Sequence, residues 1–253
     1  MTLLRSILFN AYFFSVTLVL CIVGSVWRHI APSRTILIPR LWARLIVGGV
    51  RQICGIRLEV SGREHLPPGA ALIASRHQSA FDTMVWLTLL PNCIYVLKKE
   101  LTRIPLFGGM VRPSGMIVVD RQAGAGAIRH LMKEADRAKA EARPVIIFPE
   151  GTRADPENPL PLHPGIAAMA LHAGLPVVPV LTDSGRCWAR RSFVKHPGII
   201  HIVIRPPVSA EIGRQGIMRH LDQVFHQQVP NGCVDNSVGC AHPSLPIGSK
   251  LVK

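Results

Sequence analysis

A chain of 253 residues with 48% hydrophobic and only 17% charged residues is long enough to bury one α/β core, yet apolar for a freely soluble enzyme. Its formal charge of +14 calls for an acidic partner: anionic lipid, a phosphorylated substrate or nucleic acid. Nucleic acid ranks last of these, and no nucleic-acid partner is expected, because lysine and arginine are dispersed, no binding module is recognisable, and aromatic residues, at 6%, leave little for base stacking.

Residues 7–26 carry no charge and are bracketed by Arg5 and Arg28. That run, wound as a helix, rises about 30 Å, the thickness of a hydrocarbon core. A signal peptide is the rival reading, but the apolar run is long for one and Val26-Trp27-Arg28 offers no cleavage site. A lipoprotein site at Cys21 is disfavoured by the bulky Leu20 before it. The segment is expected to anchor the chain in a membrane. Next, residues 35–54 mix Ile36, Leu37, Ile38, Leu41, Trp42, Leu45, Ile46 and Val50 with Arg40, Arg44 and Arg51, with Pro39 suited to a first turn. This pattern predicts an interfacial helix whose arginines meet lipid phosphates and whose charge excess places the following chain on the cytoplasmic side.

From Gly55 onward, short β-rich runs alternate with helical ones, the signature of an α/β fold with a mixed, largely buried sheet. Seven strands are predicted at 56–60, 71–74, 93–97, 116–119, 145–148, 177–181 and 199–204. Several are apolar throughout, as strands covered on both faces must be. Helices are predicted at 81–90, 126–142, 165–172 and 212–228; in the second, Ile128, Leu131, Met132, Ala135 and Ala138 line one face. The organisation expected is an anchoring segment over 1–54, one catalytic domain over 55–227 and a loose tail over 228–253.

The six cysteines (Cys21, Cys54, Cys93, Cys187, Cys233 and Cys240) form no C-x-x-C pair, which fits a reducing compartment. Cys233, Cys240 and His242 lack a fourth ligand for zinc, and no metal site is expected. His65, His130, His172 and His201 are scattered and read as surface or satisfied core positions. Trp188 with Arg186, Arg190 and Arg191 is read either as resting on headgroups or as an exposed loop.

Two polar clusters sit directly behind predicted strands. In the first, His77 and Asp82 are five residues apart, so on one helix they would point about 140° apart. They meet only if His77 lies in the loop after the strand and Asp82 in the first turn of the next helix, where the dipole favours an acid. The carboxylate would then hold one ring nitrogen and leave the other to take a proton from a hydroxyl. A bare H-x-x-x-x-D is met equally by two residues with no shared role. Ser79 lacks the G-x-S-x-G elbow of a nucleophile. The second cluster, Glu150-Gly151-Thr152-Arg153, offers a tight turn and a guanidinium that grips phosphate in bidentate fashion, though an ordinary turn reads the same way. Lys98 and Lys99 follow one strand and Arg121 another. All these groups therefore lie at strand ends, where open α/β sheets place their sites.

Taken in order, His77 to Asp82, Gly115 to Arg121, Phe148 to Arg153 and Val177 to Val180 resemble the four sequence blocks of the glycerolipid acyltransferases. The likeness is to the bacterial 1-acyl-sn-glycerol-3-phosphate acyltransferases in particular and covers about residues 55 to 210. Val118 stands where an aromatic is usual, and Leu162-His163-Pro164-Gly165 replaces a Tyr-Lys-x-Gly type.

The resemblance implies a membrane enzyme facing the cytoplasm, of a bacterial inner membrane, that moves an acyl group from acyl-CoA or acyl-carrier protein to the sn-2 hydroxyl of lysophosphatidic acid. Phosphatidic acid would be the product. His77 would be the base and Asp82 its orienting partner; Lys98 or Lys99, Arg121, Glu150, Gly151, Thr152 and Arg153 would position the acceptor and bind its phosphate. Oxyanion donors are expected among backbone N–H groups near 78–82. A thioester is already activated, so no cofactor, metal or covalent intermediate is implied. Two alternatives stand beside this reading: acylation of another lyso-lipid, such as lyso-ornithine lipid, and a membrane lipid-binding protein without turnover.

Overall fold

Strands that are apolar at successive positions must be covered on both faces, and the sheet is built to allow it. In the computed structural model, which describes residues 1–155, 158 and 160–229, seven strands form one sheet in the order β1-β7-β6-β2-β5-β3-β4. They are β1 (Ile56–Ser61), β2 (Leu72–Ser75), β3 (Ile94–Lys98), β4 (Ile117–Val119), β5 (Val145–Ile147), β6 (Val177–Thr182) and β7 (Gly198–Ile204). Only the β6–β7 pairing is antiparallel, so β1 and β7 run against the other five strands. The fold is therefore mixed α/β, as expected. All seven strands fall within a residue or two of their predicted positions.

The period-2 alternation of side chains divides the core into two layers. Leu72 and Ala74, Val145 and Ile147, and Val177 and Leu181 face one layer, closed by α5 (Ala125–Ala140), α6 (Gly165–Ala173) and α8 (Gly213–Phe225). Ile73, Ile146, Val178 and Val180 face the other, closed by α2 (Leu37–Cys54) and α3 (Asp82–Leu89). Two four-residue helices, α4 (Gly108–Val111) and α7 (Ser184–Cys187), were not predicted, being too short to carry a periodic signal.

The N-terminal apolar run extends to a helix of 29 residues, α1 (Thr2–Ile30), about 44 Å long at 1.5 Å per residue. It is long and apolar enough to cross a membrane, and 11% of its most apolar window is buried. One edge of it is fixed. Phe9 is fully buried, and Gly24 lies so close to Met110 of α4 that a Cβ there would come within 2.1 Å of its Sδ. Leu37, Leu41 and Leu45 of α2 are exposed like most of α1, whereas Ile38, Ala43, Ile46 and Val50 pack inward.

Two side chains behave otherwise than expected. Trp42 turns toward α1, where its Nε1–H donates to Thr17 Oγ1 at 2.9 Å, and so is half-buried between helices. Trp188 rests neither on headgroups nor in an exposed loop. It is buried edge-on against Phe9 (5.4 Å between centroids) and Phe13 (6.2 Å), with Lys195 Nζ 5.0 Å from its ring. His172 pairs with Asp136 and His201 with Asp183, each at 2.8 Å, and His65 Nδ1 lies 2.9 Å from the Ile204 carbonyl. The tail from residue 230, with Cys233, Cys240 and His242, lies outside the described residues.

Candidate active site

The C-terminal ends of β2, β3, β4 and β5 open onto a cavity of about 560 Å³. The chain leaves β2 at Ser75 and reaches α3 at Asp82, so His77 stands in the loop and Asp82 in the first helical turn. That placement overcomes the unfavourable helical spacing: His77 Nδ1 and Asp82 Oδ2 are 3.1 Å apart. The same oxygen accepts the backbone N–H groups of Gln78 (2.7 Å) and Ser79 (2.8 Å), which fixes the carboxylate. Asp82 is buried behind the wall, whereas His77, 9% exposed, lines the cavity. With Nδ1 engaged, Nε2 is the nitrogen left for a bound hydroxyl. The ring stacks on Phe148 with centroids 4.2 Å apart and planes 22° apart.

The loop after β5 carries the second cluster. Gly151, Thr152 and Arg153 all line the cavity. Gly151 has φ +70, and a Cβ there would lie 2.6 Å from Arg121 Nη1 and 2.8 Å from His163 Cδ2. Arg121 Nη1 donates to the Gly151 carbonyl at 2.7 Å, which aims the guanidinium along this loop. Burial lowers the Arg121 and Arg153 guanidinium pKa values; for Arg153 the buried Asp82 opposes that and neighbouring Arg190 adds to it. Both remain cations.

Three candidates behave differently from expectation. Glu150 does not face the cavity: it is 3% exposed, and its Oε2 accepts the backbone N–H of His77 at 2.8 Å. Burial pushes its carboxyl above the ordinary range, while the His77 N–H and the Arg76 guanidinium pull it back. Lys98 lines the cavity, but Lys99 points into a separate cleft and pairs with Asp120 at 2.8 Å. The N–H groups of Gln78 and Ser79 are already bound to Asp82, and that of Phe81 to Ser79 Oγ, so none of the three is a ready oxyanion donor.

The structure adds groups that sequence reasoning did not assign. Phe148 sets the plane of the His77 ring, and His163 stands beside Gly151 and Arg121. Arg190 and Arg191 complete the rim, so the wall holds Lys98, Arg121, Arg153, Arg190 and Arg191 and, among the described residues, no Asp or Glu. Beyond the cations the lining turns apolar, through Val96, Leu97, Leu101, Val119, Ile128 and Leu131. The arrangement suits a base beside a bound anion with a hydrocarbon chain attached.

Comparison with known proteins gives the family. The family described as Acyltransferase matches residues 57–183. The 1-acyl-sn-glycerol-3-phosphate acyltransferase of Pseudomonas aeruginosa is 35% identical over 67% of this chain and 66% of its own length. The protein of the same name from Limnanthes alba is 34% identical over 71% of this chain and 64% of its own length. The chain thus spans just under two thirds of the length of these curated relatives. In fold it is similar to the crystal structure of the 1-acyl-sn-glycerophosphate acyltransferase of Thermotoga maritima, with a TM-score of 0.71, 19% identity, and 89% of this chain and 95% of that one covered.

Proposed function

The chain belongs to the acyltransferase family, and from that footing we propose that it transfers a fatty acyl group from a thioester donor, acyl-CoA or acyl-carrier protein, to the sn-2 hydroxyl of lysophosphatidic acid, giving phosphatidic acid. The observation that carries the reading is the pairing of His77 Nδ1 with Asp82 at 3.1 Å, beside a cavity whose charged side chains, among the described residues, are cationic.

In the proposed step, His77 Nε2 takes the proton of the acceptor hydroxyl as its oxygen attacks the thioester carbonyl. Asp82 keeps Nδ1–H bonded and stabilises the imidazolium. The tetrahedral intermediate collapses, the C–S bond breaks, and the imidazolium returns its proton to the departing sulfur. Arg153, Arg121 and Lys98 hold the acceptor phosphate and, with the N–H groups near 78–81 engaged elsewhere, lend their positive field to the oxyanion. The apolar lining takes an acyl chain. α1 and the exposed face of α2 seat the protein in a membrane, where its lipid acceptor resides.

A transfer assay in detergent, with labelled acyl-CoA and a panel of lyso-lipids, tests the reading. Phosphatidic acid should form with lysophosphatidic acid in clear preference to lyso-ornithine lipid. Preference for another lyso-lipid would move the assignment to a sister enzyme; binding without turnover on any acceptor would favour a lipid carrier.

A further inference from the structure

Placed along the sheet, the cations of the cavity flank the His77 loop on both sides, with Arg153, after β5, between them and touching Arg190. Across the C-terminal edge the order is β4, β3, β5, β2, β6. Arg121 follows β4 and Lys98 ends β3, on one side of the His77 loop that follows β2. Arg190 and Arg191 follow α7 and hence β6, on the other side. A single phosphate ester supplies at most two negative charges, whereas the wall carries five cations and no acid among the described residues. One phosphate leaves the far group unmatched.

That far group is held in place. Arg190 Nη1 donates to the Arg153 carbonyl at 3.1 Å, and Arg191 sits at φ 59, a left-handed backbone that a non-glycine residue adopts only when its surroundings impose it. On one side the segment is fixed by buried Trp188 against Phe9. On the other, Lys195 Nζ donates to Asn10 Oδ1 at 2.6 Å and to the Phe193 carbonyl at 2.8 Å, while the Lys195 N–H reaches Ser6 Oγ at 3.0 Å. Two arginines at the rim of a reaction cavity are thus positioned by the first turns of α1.

We propose that Arg190 and Arg191 form a second phosphate subsite, on the opposite flank of His77 from Lys98 and Arg121, so that the two phosphate-bearing substrates are held on either side of the base. The inference rests on the two-substrate transfer proposed above. Its ligand is a phosphate ester, from either the phosphopantetheine arm of the donor or the glycerol phosphate of the acceptor.

Binding, read apart from turnover, tests it. The full-length protein in detergent is titrated calorimetrically with 4′-phosphopantetheine against pantetheine, and with lysophosphatidic acid against monoacylglycerol. In R190Q/R191Q, one of the two phosphorylated ligands should lose about tenfold or more of its advantage over its unphosphorylated counterpart. K98Q should act on the other. Loss with 4′-phosphopantetheine identifies the donor as the source; loss with lysophosphatidic acid identifies the acceptor. The single variant R191Q, which removes no hydrogen bond made by Arg190, should show the same direction if the double variant folds poorly. The subsite is overturned if neither advantage changes, if the unphosphorylated ligand weakens equally, or if K98Q and R190Q/R191Q act on the same ligand. A wild-type protein that discriminates both phosphates but transfers no acyl group would sink the proposed function and leave the subsite standing.

Discussion

Glu150 grips the backbone of His77, accepting its N–H at 2.8 Å, while from the same loop the Ala154 N–H reaches the His77 carbonyl at 2.7 Å. The loop that carries His77 and the loop that carries Gly151 to Arg153 are therefore one mechanical unit. Glu150→Ala would leave a buried N–H without its acceptor, a loss of about 1–3 kcal/mol in stability. It should lower kcat by letting the ring drift and leave the acceptor KM little changed; a rise in acceptor KM at constant kcat would return Glu150 to the substrate.

The same carboxylate gives a pH signature. Burial raises its folded pKa above the unfolded value, so the folded state holds the proton more tightly. Its contribution to stability is complete below the ordinary carboxylate pKa, about 4.3, and is lost as pH rises through the raised folded value. Glu150→Gln should thus become progressively more stable relative to wild type as pH climbs through that window. Thermal unfolding of both proteins in detergent from pH 4 to 8 measures it, and a constant difference would rule out the buried-acid account.

His77→Ala should reduce acyl transfer by about 10²–10⁴-fold or more, the range for general acid–base groups, without altering membrane association. Asp82→Asn keeps an oxygen for the Gln78 and Ser79 N–H groups but removes the charge facing the ring. It should lower kcat and preserve the fold, as judged by an unchanged circular dichroism spectrum. Turnover close to wild type in either variant would remove the proposed base.

Lys98 and Lys99 are adjacent in sequence and serve different places. Lys98→Gln, at the cavity wall, should weaken use of a phosphate-bearing substrate about tenfold. Lys99→Gln breaks only a solvent-exposed pair with Asp120, which water and salt screen, and should leave the kinetics within about twofold of wild type. Steady-state kinetics on the two single variants separates them.

Gly151→Ala should disturb the cavity wall directly. A Cβ would be forced to within 3 Å of both Arg121 and His163 on a backbone at φ +70. The left-handed strain alone is about 1–2 kcal/mol, and moving Arg121 should raise the KM of the substrate it binds. Wild-type KM values would show that the turn tolerates a side chain.

Much of this was legible because its signals are local. Strands β2, β5 and β6 announce themselves by apolar runs, and a loop histidine and helix-start aspartate can meet only in the way the structure shows. What the sequence could not convey was direction. Glu150 and Lys99 stand beside true cavity residues yet point elsewhere, because a strand or tight turn sends neighbouring side chains to opposite sides. Arg190 and Arg191 were seen, but only tertiary packing of Trp188 and Lys195 against α1 brings them to the rim.

That packing also determines how α1 should be probed. Removing residues 1–54 would strip Phe9, Ala43, Ile46 and Val50 from one core layer, so the truncated chain should aggregate instead of becoming soluble. The informative change lies on the exposed face of α1, where Leu18 is 56% and Ile22 51% accessible. A carboxylate inside a bilayer opposes insertion by about 2.5–3.5 kcal/mol at its centre. Leu18→Glu with Ile22→Glu should therefore shift the protein markedly toward the unbound fraction in vesicle flotation, while in detergent its unfolding temperature stays near that of wild type, since neither side chain is part of the core. Flotation unchanged by the two charges would mean that this face of α1 does not meet lipid, and that membrane attachment lies on some other surface.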